Sequence, residues 1–190
     1  MIPPVFDFIG GPSGAWRVTQ LTTLAGESLA AVSHVQPRPG SLAESMEIGE
    51  GGWGLRGVIS NLRYAEQREK AALVALQDPL GRAGATCAAL IPLRKSAAWW
   101  ALAQDERRAI FETTSHHTQT GMKYLPAIAR QLYHCRDVGG PFDFLTWFEY
   151  APADAAAFED LVGALRQTEE WTYVDREVDV RLTRGSAAEL

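Results

Sequence analysis

The chain has 190 residues, of which 46% are hydrophobic, and its formal net charge of −5 gives an isoelectric point near 5.4. This size allows a buried core in one large domain or two small subdomains. The acidic balance argues against nucleic acid or an anionic membrane as partner, because both favour a basic surface. Residues 1–7 lack the features of a signal peptide, so we expect a cytoplasmic protein. Cys87 and Cys135 have no CxxC spacing and are expected to be free thiols.

The first half of the chain has a weak pattern. Residues 16–24 and 55–64 have the composition of strands, and residues 65–77 are rich in helix formers. The intervening residues 26–54 contain two prolines and many Gly and Ser residues, which predicts a long loop or an irregular excursion. We therefore expect residues 1–85 to form an irregular N-terminal half.

The second half begins with a clearer strand and helix. The apolar run 86–93 has the length of a strand, and Ser96 can cap a helix that continues through 105–111. Pro126 lies in a stretch of helical composition, and we place it early in a short helix. Residues 132–136 and 142–150 then have the pattern of a hairpin.

A second helix and a last strand complete this half. Phe158, Leu161, Val162 and Leu165 recur at helical spacing, and residues 174–182 alternate between apolar and charged, as in a half-buried strand. The order from residue 86 is β-α-β-β-α-β, which predicts an α+β fold with a ferredoxin-like antiparallel sheet. Its open face requires a cover, which a similar first half or a partner subunit could supply.

Three of the four histidines, His116, His117 and His134, lie within nineteen residues. They could be ordinary polar residues at element ends, and their spacing is not that of a zinc site. A haem iron needs fewer protein ligands than a zinc ion, because the porphyrin supplies four nitrogens and the protein needs to supply only one axial ligand. Arg130 follows His117 by thirteen residues and supplies a permanent positive charge.

At this point the chain resembles the chlorite dismutases, and specifically their short bacterial group. The resemblance covers roughly residues 55–184 and rests on five segments in the same order. These segments are LRKSAAWW at 93–100, SHHT at 115–118, LPAIAR at 125–130, FDFLTWFE at 142–149 and EEWTYV at 169–174.

The resemblance implies an enzyme that uses haem b (iron protoporphyrin IX) to convert chlorite, a small anionic substrate, to chloride and dioxygen through a ferryl haem and hypochlorite. It implies two ferredoxin-like halves that form a dimeric α+β barrel, with the haem in the half formed by residues 86–190. It also implies a homodimer. His117 matches the proximal iron ligand, and Arg130 and Gln77 match the distal catalytic residues.

The resemblance assigns further residues around the haem. Glu170 best matches the acidic partner of the proximal imidazole, and Glu169 is the alternative. Lys95 is similar to a member of the same proximal network. Trp99 and Trp100 resemble walls of the haem pocket, although tryptophans in general are more often core or interface residues.

Three other functions remain open on the sequence. Relatives of this family include coproheme decarboxylases and peroxidase-like haem enzymes, and a non-enzymatic haem-binding protein would need His117 but not Arg130.

Overall fold

The computed structural model describes residues 4–60 and 78–184. Eight strands in these ranges form a closed, entirely antiparallel barrel. The strands are β1 (Val5–Gly11), β2 (Trp16–Ala25), β3 (His34–Gly40), β4 (Trp53–Ile59), β5 (Cys87–Lys95), β6 (Ala129–His134), β7 (Phe144–Tyr150) and β8 (Val174–Arg184). Around the barrel they follow the order β1-β3-β2-β8-β5-β7-β6-β4.

The helical segments of the described ranges all follow β5. They are α1 (Ala97–Ala101), α2 (Gln104–Arg108), a π-helical turn (Ala109–Thr114), α3 (His117–Met122) and α4 (Ala155–Arg166). Three 3₁₀ turns lie at Arg136–Val138, Pro152–Asp154 and Glu169–Tyr173. Among these segments, no helix is long and apolar enough to cross a membrane.

Two apolar clusters lie on opposite faces of the barrel wall. The interior is filled largely by aromatic and aliphatic side chains, including Phe8, Trp16, Leu90 and Trp147. The outer cluster joins the β5–β7 wall to α4, whose apolar stripe is buried as its spacing predicts. The helical layer that carries the candidate site therefore covers the outside of the barrel.

Strand β8 is buried on both faces, whereas its alternating sequence predicts one exposed face. Val178 and Val180 point into the interior cluster, and the intervening Glu177 and Asp179 are also buried. Arg166 of α4 binds both carboxylates at 2.7 and 2.8 Å, so the charged face is covered by a helix that neutralises it. The alternating pattern therefore predicts the strand β8 correctly, but the exposure that it predicts for the charged face is wrong.

The long loop or irregular excursion predicted for 26–54 is interrupted by β3, which the prediction missed, as it missed β1. Strand β3 contains Pro37 and Pro39, which cannot donate to a ladder. It pairs with β1 along its whole length but with β2 only at His34 and Val35. In the part of the chain that the structure describes, no strand pairs with the other side of β3 at these prolines, so a missing N–H on that side costs no ladder hydrogen bond.

Two arginines of the barrel strands form hydrogen bonds with the irregular parts of residues 26–54. Arg176 of β8 is buried and donates to the backbone oxygens of Glu27 and Ser28 at 2.8 and 3.1 Å. Arg56 of β4 binds the buried carboxylate of Asp7 and donates to the Glu44 oxygen at 2.6 Å. These contacts make the excursion part of the fold.

The order of elements from β5 to β8 agrees with the prediction, apart from the helix around Pro126. Helix α3 ends at Met122, and residues 123–128 form turns that lead into β6. The barrel combines strands from both sides of the predicted boundary at residue 85, and the description as two ferredoxin-like halves stays a prediction. The expected helix 65–77 and the last part of the expected strand 55–64 lie outside the described residues. Both cysteines are free thiols.

Candidate functional site

The candidate site centres on His117, the first residue of α3. The π-helical turn ends at Thr114, and His116 then adopts a left-handed conformation with φ 49° and ψ 38°. This reversal separates the turn from α3 and starts a new helix direction at His117. Thr120 donates its backbone N–H to the His116 oxygen at 2.8 Å, which closes the first turn of α3.

A buried carboxylate binds one ring nitrogen of His117. Glu170 Oε2 lies 2.7 Å from His117 Nδ1, and Lys95 Nζ donates to Glu170 Oε1 at 2.8 Å. Glu169, the alternative partner, has an exposed side chain. Burial alone would raise the pKa of Glu170, but its interactions with His117 and Lys95 outweigh burial and lower this pKa to about 2. Glu170 is therefore an ionised acceptor for the imidazole.

The position of Glu170 is fixed from several sides. Ser115 Oγ accepts a hydrogen bond from the Glu170 backbone N–H at 3.1 Å. Lys95 Nζ also donates to the backbone oxygen of Glu170 at 3.1 Å. Burial lowers the pKa of Lys95, while the Glu170 carboxylate opposes this shift. Sequence reasoning missed Ser115, although its position immediately before the histidine pair could have suggested it.

Aromatic rings flank the imidazole of His117. Phe111 stacks on it with ring centroids 4.3 Å apart, and Trp171 lies nearly parallel at 6.4 Å. Lys95 Nζ lies 4.7 Å from the ring centroid of Trp99. Trp99 is fully buried, and its indole Nε1 has no hydrogen-bond partner among the described residues. A buried, unpaired donor is unusual and needs an acceptor that the described residues do not provide.

Trp100 lies beside a different set of side chains. Its Nε1 donates to Asp143 Oδ2 at 3.1 Å, its ring stacks near Phe144, and Arg136 covers the ring at 3.8 Å from the centroid. These contacts hold α1 against the start of β7 and involve neither His117 nor Glu170. The structure does not bring Trp100 to the imidazole, and its role as a wall of the haem pocket stays a prediction.

Arg130 reaches the same outer layer from β6. Its neighbours Gln131 and Tyr133 line a cavity of about 380 Å³ inside the barrel, so the alternation of the strand directs Arg130 outward. The guanidinium lies against Gly121 of α3, where a Cβ atom would be 3.5 Å from Nη1. Burial lowers the pKa of Arg130 and Glu112 opposes this, but a guanidinium stays protonated near neutral pH. Gln77 lies outside the described residues.

These side chains fit a haem with one axial ligand. With Nδ1 bound to Glu170, the Nε2 atom of His117 has no hydrogen-bond partner among the described residues, so its lone pair can ligate iron. The unpaired N–H of Trp99 is suited to an acceptor such as a haem carboxylate. No group of three or more His, Cys, Asp or Glu side chains that could hold a metal ion occurs in 4–60 and 78–184. An axial site needs no such group.

The fold and the site together define an α+β barrel protein in which a histidine paired with a buried carboxylate lies on the outside of the barrel. The family model for chlorite dismutase matches residues 41–185, which is most of the chain. The chain therefore belongs to the chlorite dismutase family.

Individual relatives agree with this assignment. A solved structure of dimeric chlorite dismutases from Nitrobacter winogradskyi is 61% identical, with a TM-score of 0.87 over 95% of this chain and 99% of that chain. A mutant chlorite dismutase from Candidatus Nitrospira defluvii, solved with cyanide, is 20% identical and shares the fold with a TM-score of 0.67 over 97% and 92% of the two chains. The chlorite dismutase of Ideonella dechloratans is 34% identical over 84 residues, 44% of this chain. That match spans 27% of the length of this curated relative.

Proposed function

We propose that the chain binds haem b through His117 Nε2 and converts chlorite to chloride and dioxygen. The observation that carries this proposal is the contact between His117 Nδ1 and the ionised Glu170 carboxylate at 2.7 Å, on a chain of this family. A carboxylate bound to the second ring nitrogen fixes the tautomer and makes the imidazole a stronger donor. The bound haem would supply the redox chemistry of oxygen transfer.

Lys95 and Ser115 support the ligand indirectly in this proposal. Lys95 balances the charge of Glu170 in a buried environment, and Ser115 holds the backbone of Glu170. Together they orient the carboxylate before any ligand binds, so the imidazole does not have to reorganise. Trp99 contributes an apolar wall and an indole N–H for a haem carboxylate.

Arg130 is the proposed catalytic residue for the anion. A guanidinium is always charged and offers several donors, so it attracts chlorite and retains hypochlorite long enough for the O–O bond to form. Gln77 remains a predicted second residue beside it. We expect Arg130→Ala to bind haem but to yield much less dioxygen, because released hypochlorite bleaches the cofactor. An oxygen trace identical to that of the parent protein would remove Arg130 from the mechanism.

The test is reconstitution with haem b, a ferric absorption spectrum and an oxygen electrode trace after chlorite addition. His117→Ala should lose haem affinity or change the ferric spectrum, whereas rapid dioxygen release from that variant would contradict the assigned ligand. Slow bleaching of the parent protein without dioxygen would favour a haem-binding protein. Conversion of iron coproporphyrin to haem b in the presence of peroxide, measured by mass, would favour a decarboxylase.

We also propose that the chain is a homodimer. The support is the Nitrobacter winogradskyi structure, which is described as dimeric and matches over nearly the whole of both chains. Light scattering during size-exclusion chromatography should give about twice the chain mass of 20.8 kDa. A mass that stays at one chain mass across micromolar concentrations would contradict this.

A further inference from the structure

Glu112 lies close to the site, and nothing in the proposed mechanism uses it. It belongs to the π-helical turn, is half-buried, and accepts a short hydrogen bond from the Thr118 hydroxyl. Thr118 is buried and directly follows the proposed ligand His117. The carboxylate of Glu112 is therefore held against the first turn of α3.

Thr118 and Gly121 place this carboxylate near Arg130. The two residues are three positions apart on α3, so they lie on one face with Cβ positions about 5–6 Å apart. Glu112 is bound at Thr118, and the Arg130 guanidinium lies at Gly121, where a Cβ would be 3.5 Å from Nη1. A Cβ at this distance would be in ordinary van der Waals contact, so the guanidinium packs directly against α3 at Gly121.

We propose that Glu112 is a positioning residue for Arg130. The Glu112 carboxylate holds the Arg130 guanidinium on the Thr118–Gly121 face of α3 and so weakens the capture of small anions at the site. A bound anion competes with Glu112 for the same positive charge. The carboxylate therefore sets both the resting position of Arg130 and the affinity for anions, which would assist release of the chloride product. This inference deepens the proposed function and rests on it for the role of Arg130.

The test measures fluoride binding to the ferric haem protein by absorption, without any turnover. Glu112→Gln keeps an oxygen that can accept from Thr118 and removes only the charge. We expect it to lower the fluoride Kd roughly 3- to 10-fold, as for loss of one nearby charge at intermediate dielectric. Asp105→Asn removes an equal charge from an exposed position on α2 and should change the Kd by less than about twofold. An unchanged Kd in Glu112→Gln would overturn the proposal.

A double-mutant cycle separates positioning from simple repulsion of the anion. In an Arg130→Ala background, Glu112→Gln should no longer improve fluoride binding, because its effect acts through the guanidinium. A full improvement in that background would show that Glu112 acts on the anion directly and would overturn the proposal.

The contact itself is tested without haem. The Tm shifts of Glu112→Gln and Arg130→Ala should be non-additive in the double variant if the two side chains interact, and additive shifts would reject the interaction. If the parent protein fails to bind haem or consume chlorite, the proposed function fails, while this cycle still decides whether Glu112 positions Arg130.

Discussion

His116 has a backbone role that its place in the histidine pair does not suggest. It is the one non-glycine residue in 4–60 and 78–184 with a positive φ, and its side chain is exposed. Histidine, asparagine and glycine tolerate this conformation better than β-branched residues do. His116 therefore contributes by turning the chain, so that His117 begins α3 beside Glu170.

We expect substitutions at His116 to separate backbone geometry from imidazole chemistry. His116→Val should lower the free energy of unfolding by about 1–2 kcal/mol and weaken haem binding, because a β-branched residue is strained at this φ. His116→Gly should stay within about 1 kcal/mol of the parent and keep the ferric spectrum. Thermal unfolding and haem titration measure both effects. A glycine variant as defective as the valine variant would show that the imidazole itself is needed.

Lys95 and Arg94 are adjacent but lie in different environments. The Lys95–Glu170 pair has side chains only 2% and 6% exposed, whereas the Arg94–Asp175 pair is 46% and 43% exposed. An exposed pair contributes little to stability, but removal of one partner from a buried pair leaves a charge without compensation.

Lys95→Met should therefore lower the free energy of unfolding by about 3–5 kcal/mol. Arg94→Met, its matched control, should cost less than about 1 kcal/mol. Urea denaturation followed by tryptophan fluorescence compares the two variants. Equal losses would mean that Glu170 does not depend on Lys95 for its charge balance.

At the scale of elements, the sequence predicts the helices and strands whose apolar residues recur at a regular spacing. Helix α4 and strands β5 and β7 agree with their apolar patterns, and Ser96 caps α1 as predicted, with its oxygen 3.4 Å from the Trp99 N–H. The helical region after Ser96 is divided into α1, α2 and the π-helical turn, a division that no local spacing indicated.

Strand β3, which the sequence analysis missed, and the buried charged face of β8 both depend on distant partners. Strand β3 exists because it pairs with β1, and β8 buries Glu177 and Asp179 because Arg166 of α4 covers them. Neither the prolines of β3 nor the acidic residues of β8 reveal such partners locally. For the site, Lys95, His117 and Glu170 were selected together through the resemblance, and the structure brings them into contact. Only the three-dimensional arrangement shows that Phe111, Ser115 and Glu112 belong to the site.

At the scale of the whole molecule, closure of the barrel joins strands far apart in sequence. Strands β2 and β8 pair over most of their lengths, and β4 and β6 pair at Val58–His134 and Ile59–Tyr133. The β4–β6 seam is one of the two junctions between strands β1–β4 and strands β5–β8, together with the β2–β8 pairing. It also lies on the strand that presents Arg130, so its geometry affects the position of the guanidinium.

Gly57 sits at this seam, and its missing side chain allows the two strands to approach. A Cβ atom at Gly57 would lie 2.6 Å from the Tyr133 Cβ, a distance that forces one strand to move. We expect Gly57→Ala to lower the free energy of unfolding by about 1–3 kcal/mol through overpacking. It should also weaken fluoride binding to the haem protein, because Arg130 is displaced with β6. Gly11→Ala in β1, where a Cβ meets nothing within 4 Å, is the matched control and should change neither property. Because both junctions are needed to close the barrel, an unaltered Tm for Gly57→Ala would mean that the β4–β6 seam can open without cost to the rest of the molecule.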